Sequence, residues 1–429
     1  MKDRELFEEL LKEVRLPGFI PVELRQEQPR IDNIKAHLTQ CLSECAACNR
    51  IKTGDTVAVA VGSREISGLA HIVAALVEFL KKKGAHPFIV PAMGSHGKAT
   101  ARGQEEVLRH LGITEDSVHA PVKSSMSTVN IGTTRRGFEV HMDELAFHAD
   151  HIIPVARIKP HTEFRGPYES GILKMLVIGL GKQHGAAICH KLGFPDMARN
   201  LKEFGNVILD RAPVLLGVGI VENAAHQIAR METVTREEIL DREPELLQYA
   251  KSLLPRIPFA PLDVLLVQEM GKEISGAGMD TNVTGRSCIL GESYPHAEKI
   301  TVWDLTEKSG GNAAGMGNAD VITKRLYDKI DFTPVYVNGI TCHDTLGIRL
   351  PVVMETDELA LRMCLYTCIR RDATRNARVV MIKNTADFQQ FYISEALLDE
   401  AVKVEGLQIL GNVENMKFID GEFKGFERR

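Results

Sequence analysis

The chain has 429 residues, 44% of them hydrophobic and 25% charged, with a formal net charge of −5. These are globular proportions, the length exceeds one ordinary core and points to two domains, and the acidic balance offers no basic footprint for nucleic acid. No stretch approaches the roughly 18 continuous apolar residues that span a bilayer; the longest apolar run, Ile172 to Leu180, is broken by Lys174 and Gly179.

Residues 1–18, MKDRELFEELLKEVRLPG, set Leu and Phe at helical spacing among charges and stop at Pro17-Gly18. That reads as a surface helix and not as a signal peptide, so the expected location is the cytoplasm and the eight cysteines are expected as thiols. Cys41, Cys45 and Cys48 have a spacing that can hold an iron–sulfur cluster. However, Ile31, Ile34, Leu38 and the three cysteines recur every three to four residues, as on the core face of an amphipathic helix. Cys364 and Cys368 read the same way.

From residue 55 apolar β-branched runs alternate with helical patterns. DTVAVAVG (55–62), PFIVPA (87–92), HADHIIPVARI (148–158) and PVLLGVGIVEN (213–223) read as strands, with helices over 63–84 and 103–112. Such alternation implies a mostly parallel sheet with right-handed crossovers. Ser63-Arg64, His96 and His161 each follow a strand, and in a parallel sheet those positions share the carboxyl edge, where ligands bind. A second α/β unit begins near residue 259, with strands expected in DVLLVQ, KITVWDL and TPVYVNG. Its glycine-rich loops, 271–287 and 306–320, match neither a Walker A motif nor a dinucleotide fingerprint. The expected fold class is therefore α/β, with two α/β domains at 1–258 and 259–429, mostly parallel sheets and an active-site cleft between the domains. The tail after residue 405 is expected to pack back on one of them.

Most of the fifteen histidines fall where a structural role suffices, among them His71, His86, His110 and His148. His96 differs, because Gly94-Ser95-His96-Gly97 is a polar loop after a strand. His161 follows Pro160, which holds Lys159 extended and aims the loop. Two such histidines suit a general acid–base pair. Arg64, between strand and helix, suits a carboxylate or phosphate. Lys174 lies within apolar ILKMLVIGL, where it either reaches back to solvent or is placed for reaction, since burial lowers an amine's pKa. Thr133–Gly137 reads as a turn between short strands with no chemistry.

Together these residues resemble the nickel-dependent lactate racemase family. Ser63-Arg64 is similar to its Thr-Arg loop, and GSHGKAT to its Gly-x-His-x-x-x-Thr loop. Ile158-Lys159-Pro160-His161 is similar to its Ile-x-Pro-His, and Lys174 and His190, sixteen positions apart, to its cofactor lysine and nickel-ligating histidine. The resemblance covers residues 50–200 well and the rest weakly. It implies a nickel-pincer nucleotide (nickel pyridinium-3,5-bisthiocarboxylic acid mononucleotide) bound by Lys174, Ser63 and Arg64. It further implies nickel on His190, catalysis by His96 and His161, and a racemase or epimerase of 2-hydroxy acids. The cofactor would come from separate synthesis proteins; neither nucleic acid nor membrane is an expected partner, and the oligomeric state is not legible.

The sequence also departs from that family. The span from His161 to Lys174 is longer, and EFRGPYESG replaces a Phe- and Gly-rich loop. Asp280-Thr281-Asn282-Val283 resembles the family's Asp-x-Asn-Val, but Thr284-Gly285 and Cys288 stand where an aromatic, Gln and Lys follow. Arg286 is the candidate replacement charge, and Thr284 and Arg286, with Arg64, are the expected substrate contacts. Small polar residues in place of an aromatic fit a larger hydroxylated acid, so a sugar acid such as an aldonate is preferred to lactate. His184 competes with His190 as metal ligand. Two rival readings are a zinc or iron hydrolase using His161, His184 and His190, and a non-enzymatic nucleotide- or phosphate-binding protein.

Overall fold

The structure, a computed structural model, describes residues 4–25, 28–191, 193, 196–288, 297–342, 344–369 and 376–428. Two compact units emerge: Gln28–Leu254, and Met1–Glu27 together with Pro255–Arg429.

In the unit Gln28–Leu254 the sheet order is His86–Pro91, Thr56–Val61, His151–Arg157, Leu216–Glu222, Ile228–Thr235. The first four strands are parallel and the last is antiparallel to its neighbour. Helix Leu69–Lys82 covers one face, burying Ile72, Val73, Leu76 and Leu80 and ending in Lys81 and Lys82, where cations favour the helix C-terminus. The chain stays irregular between Val61 and this helix, so Arg64 stands in a loop. The turn around Thr133–Gly137 joins the antiparallel strands Thr128–Thr133 and Glu139–Asp143. The cysteine segment is core: helix Ile34–Glu44 runs into a 3-10 turn, Ala46–Arg50, and Cys48 is buried beside Leu38 and Leu42. Burial pushes its thiol up to about 12, far from the thiolate a cluster needs.

The other unit is built on a ten-stranded sheet. One half is parallel, in the order Val352–Met354, Val321–Thr323, Ala297–Leu305, Leu262–Met270, Val379–Ile382. The other half is antiparallel and adds Gln390–Ser394, Phe19–Leu24, Glu414–Ile419 and Glu422–Arg428, with Leu407–Ile409 also on Phe19–Leu24. The expected domain boundary is corrected here. Residues 1–27 do not join the first domain, because Phe19–Leu24 is a central strand of this sheet, paired on both sides with C-terminal strands. The tail thus packs on its own unit.

TPVYVNG is not a strand but lies in helix Phe332–Cys342. Asp331 accepts from Thr333 N–H at 2.9 Å. Pro334 lies in the first turn, where an absent N–H leaves nothing unpaired. Phe332 and Tyr336, one turn apart, bring their rings to 5.5 Å.

Candidate active site

Three adjacent parallel strands of the unit Gln28–Leu254 end at one edge, and their following loops carry Ser63-Arg64, His96 and His161. Because Thr56–Val61 and His86–Pro91 pair in register, Ser63 and His96 meet: Ser63 Oγ lies 2.5 Å from His96 Nδ1. The His96 side chain is exposed. The loop behind it is pinned by Gln104, buried on helix Ala101–His110, whose amide donates to Gly94 O (2.8 Å) and His96 O (3.3 Å). Gln104 in turn accepts from the buried Lys182 at 3.2 Å, and Lys182 also donates to Pro91 O at 2.6 Å and faces buried Asp143 at 3.1 Å. Burial drives the Asp143 carboxyl up and the Lys182 amine down, against their mutual attraction.

The His161 loop is closed at its base by Lys159 and Ser170, whose backbones exchange hydrogen bonds of 3.0 and 3.2 Å. Within it, buried Glu169 accepts from His161 N–H (2.6 Å), Gly166 N–H (3.2 Å) and Lys251 Nζ (2.8 Å). The His161 ring stacks on Phe164 at 4.3 Å and 29°. Its Nδ1 accepts from Glu163 N–H at 3.1 Å, which in the neutral ring places the proton on Nε2.

Lys174 ends a short helical turn, Ile172–Lys174, that continues as a π-helical turn, Met175–Gly179, a form common at functional sites. Glu243, wholly buried on helix Ile239–Ser252, accepts from Leu173 N–H at 2.8 Å. Burial raises this carboxyl to about 7, with the backbone N–H groups of Leu173 and Ile172 opposing. The π turn is seated against the His96 loop: Gly94 N–H donates to Gly179 O at 3.1 Å. A Cβ on Gly179 would stand 2.6 Å from Ala92 O, so no larger residue fits there.

The electrostatics place these groups in one neighbourhood. Burial lowers the Lys174 amine to about 8; Arg64 and Lys159 push it the same way, and Glu163 opposes them. Its Nζ sits 5.7 Å from the Phe164 ring centre. His161 lies well below the usual histidine value, first through burial and then through Lys174, Lys159, Arg165 and Arg64. Arg64 is exposed. Burial of Cys189 raises its thiol to about 12, with Lys174 opposing, which brings the end of helix Lys182–His190 into range. His190, half-buried, is the last residue of that helix.

Residues 4–200 match the family model described as the lactate racemase N-terminal domain. This part of the chain is thus similar to the N-terminal domain of lactate racemases. Among solved structures, the lactate racemase apoprotein from Thermoanaerobacterium thermosaccharolyticum is 13% identical over 87% of this chain and 90% of that one, with a TM-score of 0.50. A protein from Thermotoga maritima is 16% identical over 65% of this chain and 72% of that one, with a TM-score of 0.48. No curated protein sequence matches.

The matched segment contains Ser63, Arg64, His96, His161, Lys174 and His190, but not every residue that shapes their loops. Glu243 and Lys251 lie beyond it. The sequence reading missed Glu243 and Gln104, although each left a signal. Glu243 occupies the apolar stripe of Ile239, Leu246, Leu247 and Ala250, and Gln104 shares a stripe with Leu108. A polar side chain on such a stripe is buried with a purpose.

Thr284 and Arg286 belong to the other unit. Thr284 is buried at the end of a helical turn, Thr281–Thr284. Arg286 is committed within its own unit: it pairs with Asp320 and donates to Asn318 O (3.3 Å), Ala297 O (3.2 Å) and Glu298 O (2.8 Å). A guanidinium so engaged braces its own loop. Among the described residues, His184 converges with Glu139 and His141, not with His161 and His190, so the rival hydrolase ligand set is not assembled.

Proposed function

We propose that the chain is a racemase or epimerase acting at the C2 carbinol of a 2-hydroxy acid, with a sugar acid such as an aldonate preferred to lactate. One observation carries the reading. On a domain similar to that of lactate racemases, an imidazole kept neutral (His161) adjoins an amine lowered to about 8 (Lys174) in a cluster where Arg64, Lys159 and Arg165 outnumber Glu163.

That donor set suits the nickel-pincer nucleotide. A cation-rich neighbourhood favours its phosphate and thiocarboxylate groups, a partly deprotonated amine can engage an acyl carbon, and an imidazole suits nickel. Lys174 would hold the nucleotide with Ser63 and Arg64 nearby, and His190 would ligate the metal. When bound, this group supplies a reversible hydride acceptor. The chain's own residues do the rest. Arg64 takes the substrate carboxylate in a two-pronged contact. His96, its Nδ1 against Ser63, turns Nε2 to the substrate hydroxyl and takes or returns its proton. His161 faces the same oxygen from the other histidine loop; to take the opposite enantiomer's hydroxyl proton at Nε2 it first shifts its own proton to Nδ1 and gives up the Glu163 N–H contact. Two imidazoles are required because both enantiomers must lose the hydroxyl proton.

The test is to express the chain with the cofactor-synthesis proteins and incubate a panel of 2-hydroxy and sugar acids in deuterated water. Epimerisation with little deuterium at C2 is expected, lost in His96→Ala and in His161→Ala. Extensive C2 deuteration would overturn the reading in favour of simple proton abstraction.

A further inference from the structure

Helix Lys182–His190 carries two histidines that serve different surroundings. His184 and His190 are six residues apart, about 9 Å along the axis and roughly 240° around it, so they leave the helix on different faces. His184 joins Glu139 and His141 of the neighbouring strand Glu139–Asp143, and one ligand atom from each of the three lies within 4.8 Å of the others. The two imidazole rings stand edge to face at 4.3 Å and 86°, and His141 Nε2 is 3.1 Å from Glu139 Oε2.

The framework around these side chains is stiff. Glu139 and His141 are two apart on a strand and share its face. The helix is seated on that strand by Asp143 N–H donating to Leu180 O at 2.7 Å and by the buried Lys182–Asp143 pair. It can approach because residue 185 is glycine: a Cβ there would meet His141 O at 3.1 Å and His141 Cβ at 3.3 Å. Thr128 Oγ1, 3.4 Å from His141 Nδ1, occupies the outer nitrogen and leaves Nε2 facing the cluster, the arrangement by which an outer partner orients a metal-binding imidazole.

We propose that Glu139, His141 and His184 form a binding site for a divalent first-row transition cation, zinc being the fitting probe. Two neutral imidazoles and one carboxylate are an established ligand set for such ions, with solvent completing the coordination at about 2.0–2.2 Å bonds. Modest side-chain rotations close the present separations to that geometry. The ion ties the strand Glu139–Asp143 to the helix that ends in His190, and so steadies the element carrying the candidate cofactor ligand. The site needs neither cofactor nor substrate, and it stands or falls apart from the proposed activity.

The experiment uses the full chain, stripped with chelator and titrated with zinc by calorimetry and with cobalt by absorption spectroscopy. One ion per chain is expected, with cobalt bands free of thiolate charge transfer. His184→Ala, an exposed position, and Glu139→Gln should each weaken binding at least about tenfold. Zinc should raise the Tm of the parent chain but not of His184→Ala, and His190→Ala should bind zinc like the parent. Unchanged affinity in His184→Ala, a thiolate charge-transfer band, or loss of the ion in His190→Ala would overturn the site.

Discussion

Glu243 grips the backbone one residue ahead of Lys174: its carboxylate accepts from Leu173 N–H at 2.8 Å while wholly buried. The helix Ile239–Ser252 thereby fixes where the Lys174 turn begins, and the carboxyl is raised from 4.5 to about 7. With its pKa raised, the folded chain holds more protons than the unfolded chain between those values, so this contribution is full below 4.5 and is lost as pH rises through about 7. Glu243→Gln keeps an acceptor for Leu173 but cannot titrate. Urea midpoints measured across this range should fall with pH in the parent relative to the variant; parallel curves would refute the assignment. Glu243→Ala should destabilise by about 3 kcal/mol, since it leaves a cavity and an unpaired buried N–H.

Lys174 should react as an unusually basic-poor amine. Its pKa is lowered from 10.5 to about 8, chiefly by burial, so a sizeable uncharged fraction exists near neutrality. Competitive reductive methylation read by mass spectrometry should give Lys174 a midpoint near 8, below the exposed lysines of the same chain. A midpoint shared with those lysines would remove the basis for its role.

His161 should stay neutral at pH 6, with the proton on Nε2. Burial and four neighbouring cations disfavour a second proton, and the Glu163 N–H occupies Nδ1. Nitrogen-15 NMR of labelled imidazoles distinguishes the two tautomers and the imidazolium. Lys174→Met removes the strongest of the four cationic influences and should raise the His161 pKa while leaving it below that of an exposed histidine, because burial remains. An imidazolium signal for His161 at pH 6 in the parent would contradict this account.

What the sequence disclosed and what it hid follow from the range of the interactions. Ser63, His96 and His161 could be placed on one edge because strand-then-loop patterns are local and parallel pairing does the rest. The Ser63–His96 contact itself emerged only in the fold. Phe19–Leu24 could not be assigned, since its partners Gln390–Ser394 and Glu414–Ile419 lie nearly 400 positions away and nothing in its six residues, FIPVEL, names them. The helix Phe332–Cys342 was masked by β-branched composition, although Asp331 and Pro334 marked a helix start. Arg286 was read as a vacant charge because its partners, Asp320 and the Asn318, Ala297 and Glu298 carbonyls, become neighbours only in the fold.

Arg286 supplies the last prediction. Its side chain keeps 18% exposure and that of Asp320 31%, so the pair is sheltered but not dry. Arg286→Ala would strand Asp320, which also accepts from Ile300 N–H at 2.7 Å, and would strip three carbonyls of a donor. The loss should be about 2 kcal/mol, below the range for a fully buried pair because both groups keep some water. Lysine should not rescue it, since one ammonium cannot span the acceptors that a planar guanidinium reaches. Asp320→Asn should be milder, because the amide oxygen still accepts. Denaturant titration of the three variants checks this order. If Arg286→Ala kept full stability while KM for the acid substrate rose, Arg286 would belong to the substrate after all.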